Sequence, residues 1–280
     1  MSPSDSNAPF ADLQDRTDAP VEVWNADGAG EVIVLCEHAS NHIPQRYGDL
    51  GLTAAHRNSH TVWDPGARAV SLALAKALDC PMIASRVSRL VYDCNRPPEA
   101  PSAMPSRSEV IEVPGNRALD QAARDERVQS VYRPFCEAVT QLIMARQHAG
   151  RQPVLVTVHS FTPVYHGTTR AVEIGILHDD DSRLADAMLD EAAALPHRQI
   201  ERNSPYGPED GVTHSLQLHG QRNGIANVML EIRNDLLADP EAEQTMAEEV
   251  LTLLRPALDR LEAATPATTA PARQGGSSDA

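Results

Sequence analysis

Apolar residues recur along this chain in two rhythms, and their alternation predicts the fold. Residues 31–36 (EVIVLC) form a short apolar run, rich in β-branched residues and preceded by Gly30, which predicts a buried strand. Residues 67–78 carry Val70, Leu74 and Leu78 at helical spacing just after Pro65 and Gly66, which predicts a helix. Residues 81–85 and 87–92 are apolar enough to be strands. From 117 to 147 the rhythm is helical, with Val128, Val131, Phe135, Val139 and Leu142 on one stripe. Pro134 interrupts that stripe and predicts a kink or two helices. Residues 154–158 (VLVTV) are the clearest buried strand, and 172–177 (VEIGIL) another. A helix over 182–194, a strand over 227–232 and an amphipathic helix over 239–263 complete the series.

Strands that are apolar throughout, alternating with helices, imply helices on both faces of a mostly parallel central sheet. The expected class is therefore α/β with a single domain over residues 21–263. Residues 1–20 are rich in Ser, Asp, Pro and Ala, and the tail from 264 to 280 has no apolar period, so both ends are expected to be disordered. Between Arg198 and Asn227 the rhythm fails, and the stretch holds several Pro and Gly and two His. A long irregular loop inside a domain is usually functional or mobile.

Composition narrows the functions. Of 280 residues, 39 are Asp or Glu and 24 are Lys or Arg, a formal net charge of -15. Such a surface repels phosphate backbones, so nucleic-acid binding is not expected. Aromatic residues at 4% argue against a base- or sugar-stacking face. No run of about 18 apolar residues predicts a membrane helix. The start lacks the basic and apolar segments of a signal peptide. The 4 cysteines are widely spaced with no CxxC pair, as free thiols of a reducing compartment would be. A cytoplasmic protein is the expectation.

In open α/β sheets ligands bind beyond the carboxyl ends of the strands. After the first strand come Glu37 and His38, after the central strand come His159 and Ser160, and late in the 227–232 strand sits Glu231. Each His alone reads as a hydrogen-bonded structural residue. Two of them just past buried strands point toward a metal, because imidazole is the usual zinc ligand. A catalytic zinc needs a third ligand. Asp64 is the candidate, although on spacing alone it reads as the cap of the following helix. Glu37 is weaker, because neighbouring strand residues point to opposite faces.

Glu231 is either the partner of Arg233 on its own face or a buried general base. Arg89, Arg96, Arg170 and Arg233 sit near strand ends, where a guanidinium fork suits a substrate carboxylate. They could equally pair with Asp93, Glu173 or Glu231, and Asn95 could orient any of them. No dinucleotide, P-loop, nucleophile-elbow or HEXXH motif is present. A His159–Ser160 dyad is disfavoured because adjacent strand residues diverge, and Cys36 lies in an apolar strand where a thiol is normally inert.

Together the segments CEHASNHIP (36–44), HTVWDPGA (60–67), SRLVYDCNRP (88–97), TVHSF (157–161) and MLEIRNDL (229–236) resemble the N-formylglutamate amidohydrolase family. The stretch PYGPEDGVTHSLQLHG (205–220) also fits. The resemblance covers nearly all of the folded body, in order. It implies a zinc-dependent amidohydrolase with a fold similar to zinc-dependent exopeptidases. Carried across, His38, Asp64 and His159 become the metal set and Glu231 the base. Arg89, Asn95, Arg96 and Arg233 match its segments and become substrate-binding residues, and Arg170 joins them as a substrate-binding candidate from its place near a strand end. Apart from that carry-over, His214 in the irregular Gly- and Pro-rich stretch reads either as a catalytic residue able to enter the site on closure or as an exposed loop His. Where better-known members read Pro-His-Ser/Ala-Gly, this chain has Glu37, His38, Ala39 and Ser40.

The function implied is hydrolysis of N-formyl-L-glutamate, or a related acidic N-acyl amino acid, to formate and the free amino acid, within amino-acid and histidine catabolism. The alternatives are a related metal-dependent deacylase or carboxypeptidase-like hydrolase, and a metal-free protein binding acidic metabolites. The expected partner is a small acidic N-acyl amino acid, with neither nucleic acid nor membrane.

Overall fold

In the computed structural model, which describes residues 19–264, a seven-stranded sheet runs through the middle of one domain. Its strands are β1 (Val21–Trp24), β2 (Val32–Cys36), β3 (Met82–Ser85), β6 (Val154–Phe161), β9 (Ile174–Leu177), β10 (Ile200–Arg202) and β11 (Asn227–Arg233). Two short hairpins stand apart: β4 (Arg107–Ser108) with β5 (Ile111–Glu112), and β7 (Val164–Tyr165) with β8 (Thr168–Thr169). The sheet order is β1-β3-β2-β6-β11-β9-β10. The pairings are parallel except β1 with β3 and β11 with β9, so the sheet is mostly parallel, as the apolar strands imply.

Alternation along β2 sets the two cores. Val32, Val34 and Cys36 face one side, packing with α1 (Ala67–Ala77), α4 (Arg183–Asp190) and α5 (Pro240–Ala264). Ile33 and Leu35 face the other, where Phe135, Val139, Leu142 and Ile143 of α3 (Arg133–His148) cover them. Among the described residues no helix is long and apolar enough to cross a membrane.

Several local expectations shift. Residues 87–92 are not a strand. Both edges of β3 are already taken by β1 and β2, so the segment has no open edge to join. Its backbone bonds loops instead: Ser88 N donates to His42 O at 2.8 Å and Ser88 Oγ to Val62 O at 2.8 Å. Strand β1 was not anticipated, since a four-residue VEVW run beside a polar segment carries little periodic signal. The body also begins earlier than expected: Ala19 is buried and Pro20 O accepts from Arg86 N. At the other end Ala264 still belongs to α5. Residues 1–18 and 265–280, where disorder was expected, lie outside the described residues.

The long helical stretch resolves into α2 (Gln121–Arg127), a wide π turn (Val128–Tyr132) and α3. Proline lacks an N–H, and the wide turn precedes Pro134, which sits in the first turn of α3. The irregular stretch contains the short edge strand β10, a single turn at Pro208–Asp210, and a run of helical turns over 214–223 that includes Leu216–Gly220 and Gln221–Asn223.

Candidate active site

Three parallel strands bring the candidate groups to one edge. His159 in β6 pairs in register with Glu231 in β11. β2 pairs with β6 as Leu35 with Thr157, and the same offset carried on sets Glu37 level with His159. His38 follows one residue later, where the chain leaves the sheet. Asp64 arrives from the loop before α1, pinned by its N–H donating to His38 O at 2.9 Å. That loop turns through Gly66 at φ 79°, a left-handed position that favours glycine. A Cβ there would also meet the Leu237 side chain at 2.5 Å.

The side chains converge tightly. His38 Nδ1 and His159 Nδ1 lie 3.1 Å apart, and each approaches Asp64 Oδ2, at 3.1 and 3.0 Å. The Asp64 side chain therefore does not cap α1; it also takes Arg89 Nη1 at 3.3 Å and Ser160 N at 3.3 Å. Behind His38, Nε2 contacts Asp93 Oδ1 at 2.7 Å. Behind His159, Nε2 lies 3.2 Å from Glu37 Oε2, off the line a hydrogen bond needs. The two imidazoles and the three carboxylates are all buried.

Charge is concentrated here. Burial alone would raise the carboxyl of Asp64, but His38, His159 and Arg89 outweigh it and hold it well below the usual range. Asp93 is likewise held low against burial by His38, Arg89 and Arg96. Burial opposes a charge on His159, yet Glu37 and Asp64 raise it well above its ordinary value. Glu231 goes the other way: burial, only partly offset by His159, pushes it up to about 7. Its Oε2 has no hydrogen-bond partner among the described residues.

Two imidazole nitrogens and one carboxylate oxygen facing one point are the donor set of a divalent-metal site. Around tetrahedral zinc such atoms stand about 3.4 Å apart, close to the separations found. Each imidazole also has a carboxylate behind it, the arrangement that orients ring ligands toward a metal. The residues fit the group.

The family model described as N-formylglutamate amidohydrolase matches residues 30–238. The chain belongs to the N-formylglutamate amidohydrolase family. Among solved structures it resembles the gene product Atu2144 from Agrobacterium tumefaciens, with 53% identity and a TM-score of 0.86 over 87% of this chain and 96% of that one. It shares the fold of an N-formylglutamate amidohydrolase from Ralstonia eutropha JMP134, with 19% identity and a TM-score of 0.68 over 88% of this chain and 99% of that one. No curated protein matches it in sequence.

In this member of the N-formylglutamate amidohydrolase family, the cleft over the three converging groups is also lined by Glu231, Arg89, Asn95 and Arg96. The arginines differ sharply in what they hold. Arg89 bridges Asp64 and Asp93, with Nη2 2.9 Å from Asp93 Oδ2. Arg233 does not line the cleft; it pairs with Asp235 at 2.8 Å and Glu173 at 3.5 Å, so of the two readings of Glu231 the pair with Arg233 is not formed. Arg170 lies behind the wall, against Tyr206. Arg96 lines the cleft and makes no ion pair among the described residues, donating only to Asn95 O.

Asn95 ties the irregular stretch to the site: its Nδ2 donates to Val212 O at 2.6 Å and its Oδ1 accepts from Ser215 N at 2.9 Å. His214 is not brought into this cleft. Its Nε2 meets Tyr132 Oη at 2.8 Å, its ring stacks on Tyr132, and it faces a neighbouring cavity with Thr213 and Gln217. The bond from Ser215 N–H to the Asn95 side chain holds it there. Tyr206 and the His60–Glu109 pair, which no residue-type or spacing signal in the sequence marks as site residues, also line the cleft, and Glu37 backs it behind His159. Only the strand register could have promoted Glu37.

Proposed function

We propose that this amidohydrolase cleaves N-formyl-L-glutamate, or a close N-acyl amino acid, to formate and the free amino acid in a metal-dependent reaction. His38, Asp64 and His159 would hold the metal, zinc first among candidates by donor type. When bound, it supplies Lewis acidity at the carbonyl and an acidified water. The observation that carries the reading is Glu231, a buried carboxylate with a free oxygen lining the same cleft as that donor set.

The chain's own residues then divide the work. Glu231 accepts the proton of the attacking water and passes it to the departing amine. Its elevated proton affinity suits both transfers near neutral pH. Asp93 and Glu37 hold the two imidazole rings from behind. Arg89 is engaged by Asp64 and Asp93, which leaves Arg96 to receive a substrate carboxylate. A single disengaged arginine in the cleft favours a second reading, an N-acyl amino acid with one carboxylate in place of two.

The test is formate release from N-formyl-L-glutamate by purified protein, with metal content measured on the same sample and a chelated control. Chelator-sensitive turnover with about one zinc per chain is the expected result. Bound metal without formate moves the assignment to a panel of monocarboxylate N-acyl amino acids. Neither metal nor turnover after zinc is restored sinks the hydrolytic reading in favour of a metal-free binding protein.

The carboxylate behind His38 provides a separate prediction. Asp93→Asn should weaken metal affinity by about 10–100-fold, because the ring loses its charged partner. Competition against a chromophoric chelator measures this directly, and unchanged affinity would remove Asp93 from the metal's support.

A further inference from the structure

Tyr206 has no assigned task in the hydrolytic reading, on which this inference rests. It packs against the apolar cluster of Leu177, Val212, Leu216 and Met229, and lines the cleft shared with His159 and Glu231. Arg170 Nη1 donates to its Oη at 2.9 Å. That guanidinium is held by aromatic faces, 4.6 Å from the Tyr206 ring centroid, 4.5 Å from Tyr165 and 5.5 Å from Phe161. Among the described residues Arg170 makes no ion pair, so its charge is not cancelled by a carboxylate; its other bond is to Thr162 O at 3.5 Å.

A phenol has one proton to donate and lone pairs to accept with. Arg170 occupies an accepting position, and among the described residues Tyr206 donates to none. Accepting from a cation polarises the O–H and strengthens it as a donor. Burial, with the charge of Glu231 next, pushes the phenol up to about 12, so the proton stays in place at working pH. The cleft therefore contains a polarised neutral donor on the same wall system as the proposed base.

We propose that Tyr206, backed by Arg170, donates a hydrogen bond to the oxyanion that forms on the substrate's carbonyl oxygen. As water attacks, the new C–O bond forms and the carbonyl π pair moves onto that oxygen, while Glu231 holds the proton lost by the water. On collapse the carbonyl re-forms, the C–N bond breaks and the amine departs with the proton from Glu231. Tyr206 keeps its own proton throughout. Its contribution is greatest when the oxygen is most negative, which is the condition for raising the rate without tightening ground-state binding.

The test compares Tyr206→Phe with wild type on the N-acyl amino acid that wild type turns over fastest. Alongside it, calorimetry measures binding of a tetrahedral phosphonate analogue and of the free amino-acid product. The expected result is kcat lower by about 10²–10³-fold with KM little changed, and analogue binding weakened with product binding and metal content kept. Arg170→Lys should lose part of the same effect, and the double variant should be no worse than Tyr206→Phe. If Tyr206→Phe fails to fold, Arg170→Lys decides by the same KM-against-kcat split. A raised KM at unchanged kcat, or equal loss of analogue and product binding, makes Tyr206 a ground-state contact and overturns the proposal. Wild-type turnover matched by Tyr206→Phe overturns Tyr206 alone; a wild type that turns over no N-acyl amino acid overturns the hydrolytic reading as well.

Discussion

Glu231→Gln is expected to retain fold and metal while losing about 10²–10⁴-fold in kcat, the usual worth of a positioned general base. Glutamine keeps the shape and volume but cannot accept the proton. The side chain is buried on a central strand with one oxygen unpartnered, and among the described residues it makes no ion pair that the exchange would lose. The pH profile should carry the same signature. Burial raises Glu231 to about 7, so it is deprotonated and competent above that value and protonated and idle below it. Activity of the wild type should therefore fall as pH drops through an acid limb near or below about 7, a bound cation in the cluster pulling it lower. In Glu231→Gln that limb should vanish from whatever activity remains. Rates near wild type in the variant would make Glu231 structural.

His159→Ala is the second large effect, and it acts on two levels. It removes one of three converging donors, so metal binding and turnover should both fall below detection at micromolar zinc. It also leaves Glu37 and Asp64, both fully buried, without the imidazole between them. Breaking a buried ion pair by deleting one partner typically costs about 3–5 kcal/mol. The sign with pH comes from His159 being raised in the folded chain. In metal-free protein its contribution is complete below the unfolded value of about 6.5 and is lost only as pH climbs through the raised one. Thermal melting of chelated wild type and variant should thus show the largest gap at mildly acid pH, closing on the alkaline side. An equal gap at every pH would mean the loss is one of packing alone.

Much of this architecture is carried by short-range pattern. The buried runs at 31–36, 154–158 and 227–232 become β2, β6 and β11, and the helical stripes at 67–78 and 239–263 become α1 and α5. Those segments bury whole faces, so their periodicity is imposed by the core itself. The failures have the opposite character. Residues 87–92 are apolar yet irregular, because whether a strand can form depends on a free sheet edge, which no local window contains. The VEVW strand is too short to announce itself. Its place on the sheet comes from its pairing with β3.

The candidate site divides along the same line. Residue types at three strand ends were enough to nominate His38, His159 and Glu231, since parallel strands all deliver their carboxyl-terminal residues to a common edge. Asp64 could not be separated from a helix cap on spacing, and its contact with both imidazoles exists only once the loop folds back over β2 and β6. Four arginines read alike in sequence. Folded, Arg89 lies between two carboxylates, Arg233 on Glu173 and Asp235, Arg170 among aromatic rings, and Arg96 without an ion pair among the described residues. His214 and Glu37 exchange importance for a related reason: one is held aside by bonds to its loop, the other set level with His159 by register. Residue identity and period are properties of neighbours along the chain. Which charge meets which is a property of neighbours across strands and loops, and only the folded backbone supplies those distances.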